Sequence, residues 1–215
     1  DAQLAIAPRR FVSRGGEKLE AALAAWHLEA ASRVWLDAGA STGGFTDCLL
    51  QRGAPAVHAV DVGYNQLDYS LRSDSRVHVR ERTNIVSITR DELDPPPDAA
   101  VCDLSFRSLR GVLRTILSLT REGWGIALLK PQFELAAEQR RRRTPDGEAL
   151  DAGGGVIQGP DRTAVIHRVC RDLSEDEGVA VHQQLDSPIT GRDGNREVLL
   201  LVGLSDKVSS ADPGE

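Results

Sequence analysis

The sequence predicts an α/β fold: a mostly parallel, seven-stranded sheet with helices on both faces. Three observations carry that prediction. Short apolar runs alternate with amphipathic stretches along most of the 215 residues, the rhythm of strands joined by crossover helices. One run, Val34–Ala38, enters a loop of small residues that opens a helix. The next run ends on an acid, Asp61.

The elements follow in order. Leu19, Ala22, Leu23 and Trp26 recur at helical spacing, so Glu17–Leu28 reads as a helix. Val34–Ala38 is a short buried strand, and Phe45–Gln51 a helix closed by Gly53. Ala56–Asp61 and Val77–Arg80 read as the second and third strands. Pro95, Pro96 and Pro97 form a rigid link that cannot lie inside a helix. Ala99–Asp103 is a strand, Leu109–Leu119 a helix and Gly125–Leu129 a strand. Pro131 to Pro160, with its run of arginines and its glycine triplet, reads as irregular. Thr163–Leu173 is a helix, and Val179–Leu185 and Glu197–Leu204 are the last two strands. The polar residues 205–215 read as a disordered tail.

Composition narrows the class. Apolar content of 40% and charged content of 27% are those of a globular domain. No stretch approaches the roughly 18–20 apolar residues that span a bilayer, so no membrane partner is expected. Cys48, Cys102 and Cys170 are odd in number and scattered, and read as buried thiols of a cytoplasmic protein. The five histidines show no ligand spacing, and no metal is expected. The net charge of −6 argues against a nucleic-acid partner overall, although a local basic patch is enough to bind one. The basic residues are lopsided: of 26, only Lys18, Lys130 and Lys207 are lysines. Lysine, unlike arginine, can lose its proton when buried beside another cation.

The loop segment is the first chemical signal. Gly39, Gly43 and Gly44 let the backbone approach a ligand closely. Neither the strict G-x-G-x-x-G spacing of a dinucleotide loop nor a G-x-x-x-x-G-K-[ST] phosphate loop is present. An acid, Asp37, precedes the first glycine by two residues. A carboxylate there repels pyrophosphate and attracts a sulfonium or ammonium. Asp61 falls within the ~20-residue distance usual for an acid that grips ribose hydroxyls. A structural glycine turn with Asp61 as a helix cap is the alternative. Acid, glycine loop and second acid together favour S-adenosylmethionine.

The chain resembles the TlyA (haemolysin A) family of RNA ribose 2′-O-methyltransferases with an FtsJ-like catalytic domain. The resemblance rests on Ser13-Arg-Gly-Gly-Glu-Lys-Leu19, Leu36-Asp-Ala-Gly-Ala-Ser-Thr-Gly-Gly-Phe-Thr-Asp47, Ala59-Val-Asp-Val-Gly-Tyr64 and Glu81-Arg-Thr-Asn-Ile85. It continues through Cys102-Asp-Leu-Ser-Phe106, Leu129-Lys-Pro-Gln-Phe-Glu134 and Ser187-Pro-Ile-Thr-Gly-Arg-Asp-Gly-Asn-Arg-Glu197. It implies a Rossmann-like methyltransferase domain over 11–204. Residues 1–10 would then be a linker from an S4-type RNA-binding domain, which this sequence does not contain. The family's Lys-Asp-Lys-Glu tetrad maps onto Lys18, Asp103, Lys130 and Glu197. S-adenosylmethionine would lie against Asp37, Gly39, Ala40, Ser41, Thr42, Gly43, Gly44, Phe45, Asp61, Val62, Asn84 and Asp103. Ribosomal RNA, methylated on a cytidine ribose of either subunit, is the implied partner, and a monomer the implied state.

A 2′-hydroxyl is a poor nucleophile near neutral pH, so an enzyme must align it and remove its proton. Lys130 ends a strand, where crevices of α/β sheets lie. Burial and the neighbouring charge of Lys18 would lower its pKa toward that of a usable base, with Asp103 and Glu197 orienting the lysines. Arg14, Arg140, Arg141, Arg142 and Arg143 are candidate phosphate contacts. Tyr64 and Phe106 are candidates to stack on a base, whereas Phe133 reads as core. The competing readings are a membrane-active haemolysin-like protein, a non-catalytic RNA-binding module and a nicotinamide dehydrogenase.

Overall fold

A computed structural model describes residues 10–105, 107–141, 156–191 and 193–206. Its sheet has seven strands: β1 Trp35–Ala38, β2 Val57–Val60, β3 Val77–Arg80, β4 Ala99–Cys102, β5 Trp124–Leu129, β6 Val179–Asp186 and β7 Val198–Leu204. They run in the order β3-β2-β1-β4-β5-β7-β6. β1 to β5 are parallel, while β7 is antiparallel to both β5 and β6. β1, β2 and β4 are buried at every position. That is why their sequences are mostly apolar rather than alternating, with Asp37 of β1 and His58 of β2 as the polar exceptions.

Among the described residues six α-helices accompany the sheet: α1 Gly15–Ala25, α2 Gly44–Gln51, α3 Tyr69–Arg72, α4 Leu113–Ser118, α5 Pro131–Arg141 and α6 Gly159–Glu177. Alternation along β1 builds a core on each face. Leu36 and Ala38 join Leu113, Ile116 and Leu117 of α4 and Val165, Val169 and Leu173 of α6. Trp35 joins Leu19 and Leu23 of α1 and Cys48 and Leu49 of α2 on the other side. Its indole donates to Ala30 O and meets Trp124 edge-on at 5.6 Å.

Two expectations are corrected, and one helix lies outside them. The stretch from Pro131 to Pro160, expected to be irregular, is helical over Pro131–Arg141, and α6 starts at Gly159. The apolar period is hidden because α5 turns Glu134 and Glu138 inward, where Arg110 and Arg168 neutralise them. The helix expected over Leu109–Leu119 is shorter, Leu113–Ser118, because Gly111, at φ +78°, turns the chain out of the right-handed helical conformation. The α3 helix has four residues, too few to show a period, and is started by the Asp68 side chain accepting from Ser70 N.

The neighbours β1 and β4 send their crossovers to opposite ends of the sheet. A crevice therefore opens beyond their carboxyl ends, as at any such switch point. Trp35 anchors β1 beneath this crevice and is fully buried. Trp35→Ala is expected to cost about 3–5 kcal/mol. In thermal denaturation that corresponds to a fall in Tm of roughly 6–20 °C.

Candidate active site

The crevice holds a cavity of about 410 Å³ lined by residues from the N-terminus of α1, the β1–α2 loop, and the segments after β4, β5 and β6. Two close contacts shape it. Gly39 sits at φ +89°, and a Cβ there would lie 2.6 Å from the Asp103 carbonyl oxygen. Only glycine lets the end of β1 press against the end of β4 in this way. Gly44 opens α2 against the start of α1, where a Cβ would lie 2.2 Å from Ser13 Oγ. This contact aims the first turn of α1, and with it Lys18, into the cavity.

The four tetrad residues meet here, as two crossed ion pairs. Lys18 Nζ donates to Glu197 Oε2, joining α1 to the head of β7. Lys130 Nζ lies 2.5 Å from Asp103 Oδ1 and donates to Ser105 Oγ at 3.1 Å. Lys18, Lys130 and Glu197 are buried, and Asp103 is half-buried. The expected electrostatics therefore change. Glu197 pairs with Lys18 and Asp103 with Lys130, so each lysine faces a carboxylate rather than the other lysine. Phe133, expected in the core, is half-buried on the cavity wall, with Lys130 Nζ 5.7 Å from its ring centre.

The cofactor residues divide into three groups. Gly39, Ala40, Ser41, Thr42, Gly44 and Phe45 line the cavity, while Gly43, at φ +96°, starts α2. Asp61 lies beside the loop and pins it, accepting from Ser41 N at 2.8 Å and Gly63 N at 2.7 Å. Val62 and Asn84 are exposed and stand outside the cavity lining among the described residues. Asp37 is not the ligand-facing acid expected. It is wholly buried under the loop, accepting from Thr46 Oγ1 at 2.6 Å. Its Oδ1 has no hydrogen-bond partner among the described residues. Burial pushes its carboxyl up to about 7, with the Thr46 hydrogen bond opposing the rise and the charge of Asp103 adding to it.

Of the basic candidates, Arg14 is exposed on the cavity rim and Arg140 is exposed on α5, away from the cavity. The side chain of Arg141, all of Arg142 and Arg143, and Phe106 lie outside the described residues. Tyr64 is exposed and stacked by Arg82, whose guanidinium carbon is 3.8 Å from the ring centre. The residue-level reading did not single out Ser13, Ser105, Gln132, Thr190, Gly191 or Asp193, all of which line the cavity. They sit in loops or at a helix start, where no periodicity marks them. The motif stretches contained them, but nothing local distinguished them there.

These residues fit S-adenosylmethionine. The glycine-lined loop gives close backbone approach, the Asp61 carboxylate stands at the end of β2, and the cavity continues from the loop to the paired lysines. A parallel sheet closed by an antiparallel β7, with this loop at its switch point, defines an S-adenosylmethionine-dependent methyltransferase. The chain belongs to the FtsJ-like methyltransferase family, whose match spans residues 11–203.

It is 43% identical over 195 residues to YqxC of Bacillus subtilis, covering 90% of this chain and 66% of that protein. It is 42% identical over 194 residues to the 16S/23S rRNA (cytidine-2′-O)-methyltransferase TlyA of Mycobacterium tuberculosis, covering 89% of this chain and 68% of that one. The chain thus spans about two thirds of the length of these relatives. A solved Lactococcus lactis chain carrying the name hemolysin superposes with a TM-score of 0.80 at 38% identity, over 93% of this chain and 91% of that one. No helix among the described residues is long and apolar enough to cross a membrane.

The buried Asp37 makes a pH prediction. An unfolded aspartate titrates near 4. Between about pH 4 and 7 the native chain therefore holds a proton that the unfolded chain has released. The stabilisation that this proton brings is complete below pH 4 and is lost as pH rises through 7. Denaturant titrations of wild type and Asp37→Asn should show the wild type losing up to about 4 kcal/mol relative to the variant across that window. A pH-independent difference would mean that Asp37 titrates normally in the fold.

Proposed function

We propose that this chain methylates a ribose 2′-hydroxyl of RNA, with a cytidine of ribosomal RNA as the target. The observation that carries the reading is the two lysine–carboxylate pairs that share one cavity with the glycine loop. The relatives' names supply the substrate class: one is an rRNA cytidine-2′-O-methyltransferase. The net negative charge places RNA contact on local groups such as Arg14 at the cavity rim.

S-adenosylmethionine supplies a sulfonium methyl that is already activated toward nucleophiles. Gly39–Phe45 and Asp61 hold that molecule at the loop. Lys18, held by Glu197, donates to the ribose oxygen and fixes its direction. Lys130, 2.5 Å from Asp103 and donating to Ser105, acts as a neutral amine and takes the hydroxyl proton as the ribose oxygen gains the methyl that sulfur gives up. Lys130 then releases the proton to the open side of the cavity. The close pairing of Lys130 with Asp103 also favours a second reading, in which the ammonium persists and only orients the hydroxyl.

Two substitutions separate these readings. Lys130→Arg keeps the charge but cannot shed a proton. Single-turnover methyl transfer to unmodified ribosomal subunits should then fall by about 10²–10⁴-fold, the worth of a positioned base. Lys130→Ala should abolish transfer, while calorimetry shows cofactor affinity within a few-fold of wild type. An arginine variant within tenfold of wild type, with the same pH profile, would establish the orienting role instead.

A further inference from the structure

We infer that Glu134 is a positioning residue for Lys130: its buried carboxylate locks the chain that carries Lys130 to the chain that carries Asp103 and Ser105. The inference rests on the reading of Lys130 given above.

Lys130 leads directly into α5, and the N–H groups of Phe133 and Glu134 both return to its carbonyl. Glu134 stands in this first turn and is 1% exposed. Its Oε1 accepts from Leu109 N at 2.7 Å and its Oε2 from the Ser108 hydroxyl. The guanidinium of Arg110 lies 3.5 Å from Oε2 and also donates to the Glu134 carbonyl at 3.4 Å. Arg110 in turn binds Asp172 of α6 at 2.8 Å and Glu138 of α5 at 3.2 Å.

Residues 108–110 follow closely on Asp103 and Ser105, the two partners of Lys130. The active pair is thus formed by two arms, clamped together four residues beyond Lys130 and three beyond Ser105. A buried carboxylate is costly unless fully bonded, and burial does push the Glu134 carboxyl above its usual range, against the pull of Ser108, Leu109 and Arg110. Helical continuity alone needs no acid here. α5 can present an apolar residue to the core instead, and that would leave the 108–110 segment free to slide.

The chain has only three lysines, Lys18, Lys130 and Lys207. Lysine-selective isotope labelling therefore yields three side-chain NMR signals, assigned through Lys18→Arg and Lys130→Arg. In folded Glu134→Ala, the Lys130 signal should move toward that of an unpaired lysine, while the Lys18 signal stays in place. Calorimetry should show cofactor affinity within threefold of wild type. Methyl transfer to ribosomal subunits should show kcat at least tenfold lower with KM little changed. Glu134→Gln, which can still accept from Leu109 N, should return the Lys130 signal and most of kcat.

An unmoved Lys130 signal in folded Glu134→Ala would overturn the inference, as would a Lys18 signal that moves equally, since that marks general loosening. If Glu134→Ala fails to fold, Ser108→Ala decides: it should give the same split at smaller amplitude, and an unmoved Lys130 signal there refutes the clamp. Because the NMR readout needs no RNA, a wild type inactive on ribosomal subunits would count against the substrate and leave this test standing.

Discussion

Lys18 and Glu197 are 179 residues apart and meet in a buried ion pair that closes the active cavity. Neither charge can leave water alone. Removing one partner of such a pair leaves an uncompensated charge, at a cost of about 3–5 kcal/mol. The pair therefore requires that α1 lie across the carboxyl edge of the sheet, against the head of β7. The rest of the N-terminal packing serves that placement. Ser13 sits against Gly44, Val12 N donates to Asp47 on α2, and Glu20 joins Arg10 and Arg52 at the helix flank. The first helix is thus a wall of the site as much as an outer layer of the core.

The second pair is built by the centre of the sheet. Asp103 follows β4 and Lys130 follows β5, and these adjacent parallel strands deliver both groups to one edge. The Gly39 contact presses the cofactor loop against the Asp103 main chain. The loop end and the Lys130–Asp103 end of the cavity therefore meet at this contact. Two acids are kept out of the acceptor chemistry by their surroundings. Asp37 is sealed beneath the loop on Thr46, and Asp61 is occupied with the N–H groups of Ser41 and Gly63. Each acid shapes the loop from behind or beside it, and the open face of the loop is left to the ligand.

How much was legible depended on whether a residue's partners were local. The strands could be read because burial on both faces makes them mostly apolar, as in Ala99–Cys102 and, apart from His58, Val57–Val60. The helices α1, α2 and α6 could be read in sequence, α1 from its apolar spacing and α2 with its end marked by Gly53. The α5 helix could not, because its inward positions include Glu134 and Glu138, whose neutralising partners lie on other elements. The start of α4 lies beyond Leu109 because Gly111 takes a left-handed φ of +78°, which helical spacing alone does not reveal.

By itself the sequence determined the α/β class, the glycine loop between a strand and a helix, and the candidate chemical groups, including Lys18 and Lys130 among only three lysines. These are properties of short windows, where period, steric freedom and side-chain type act within a few residues. Tertiary structure alone decided which lysine pairs with which acid, that Asp37 is buried under the loop, that Phe133 faces the cavity, and that Ser105 touches Lys130. Each of these is a balance of desolvation against a partner brought from a distant segment, and such partners exist only once the sheet has set the order of its strands.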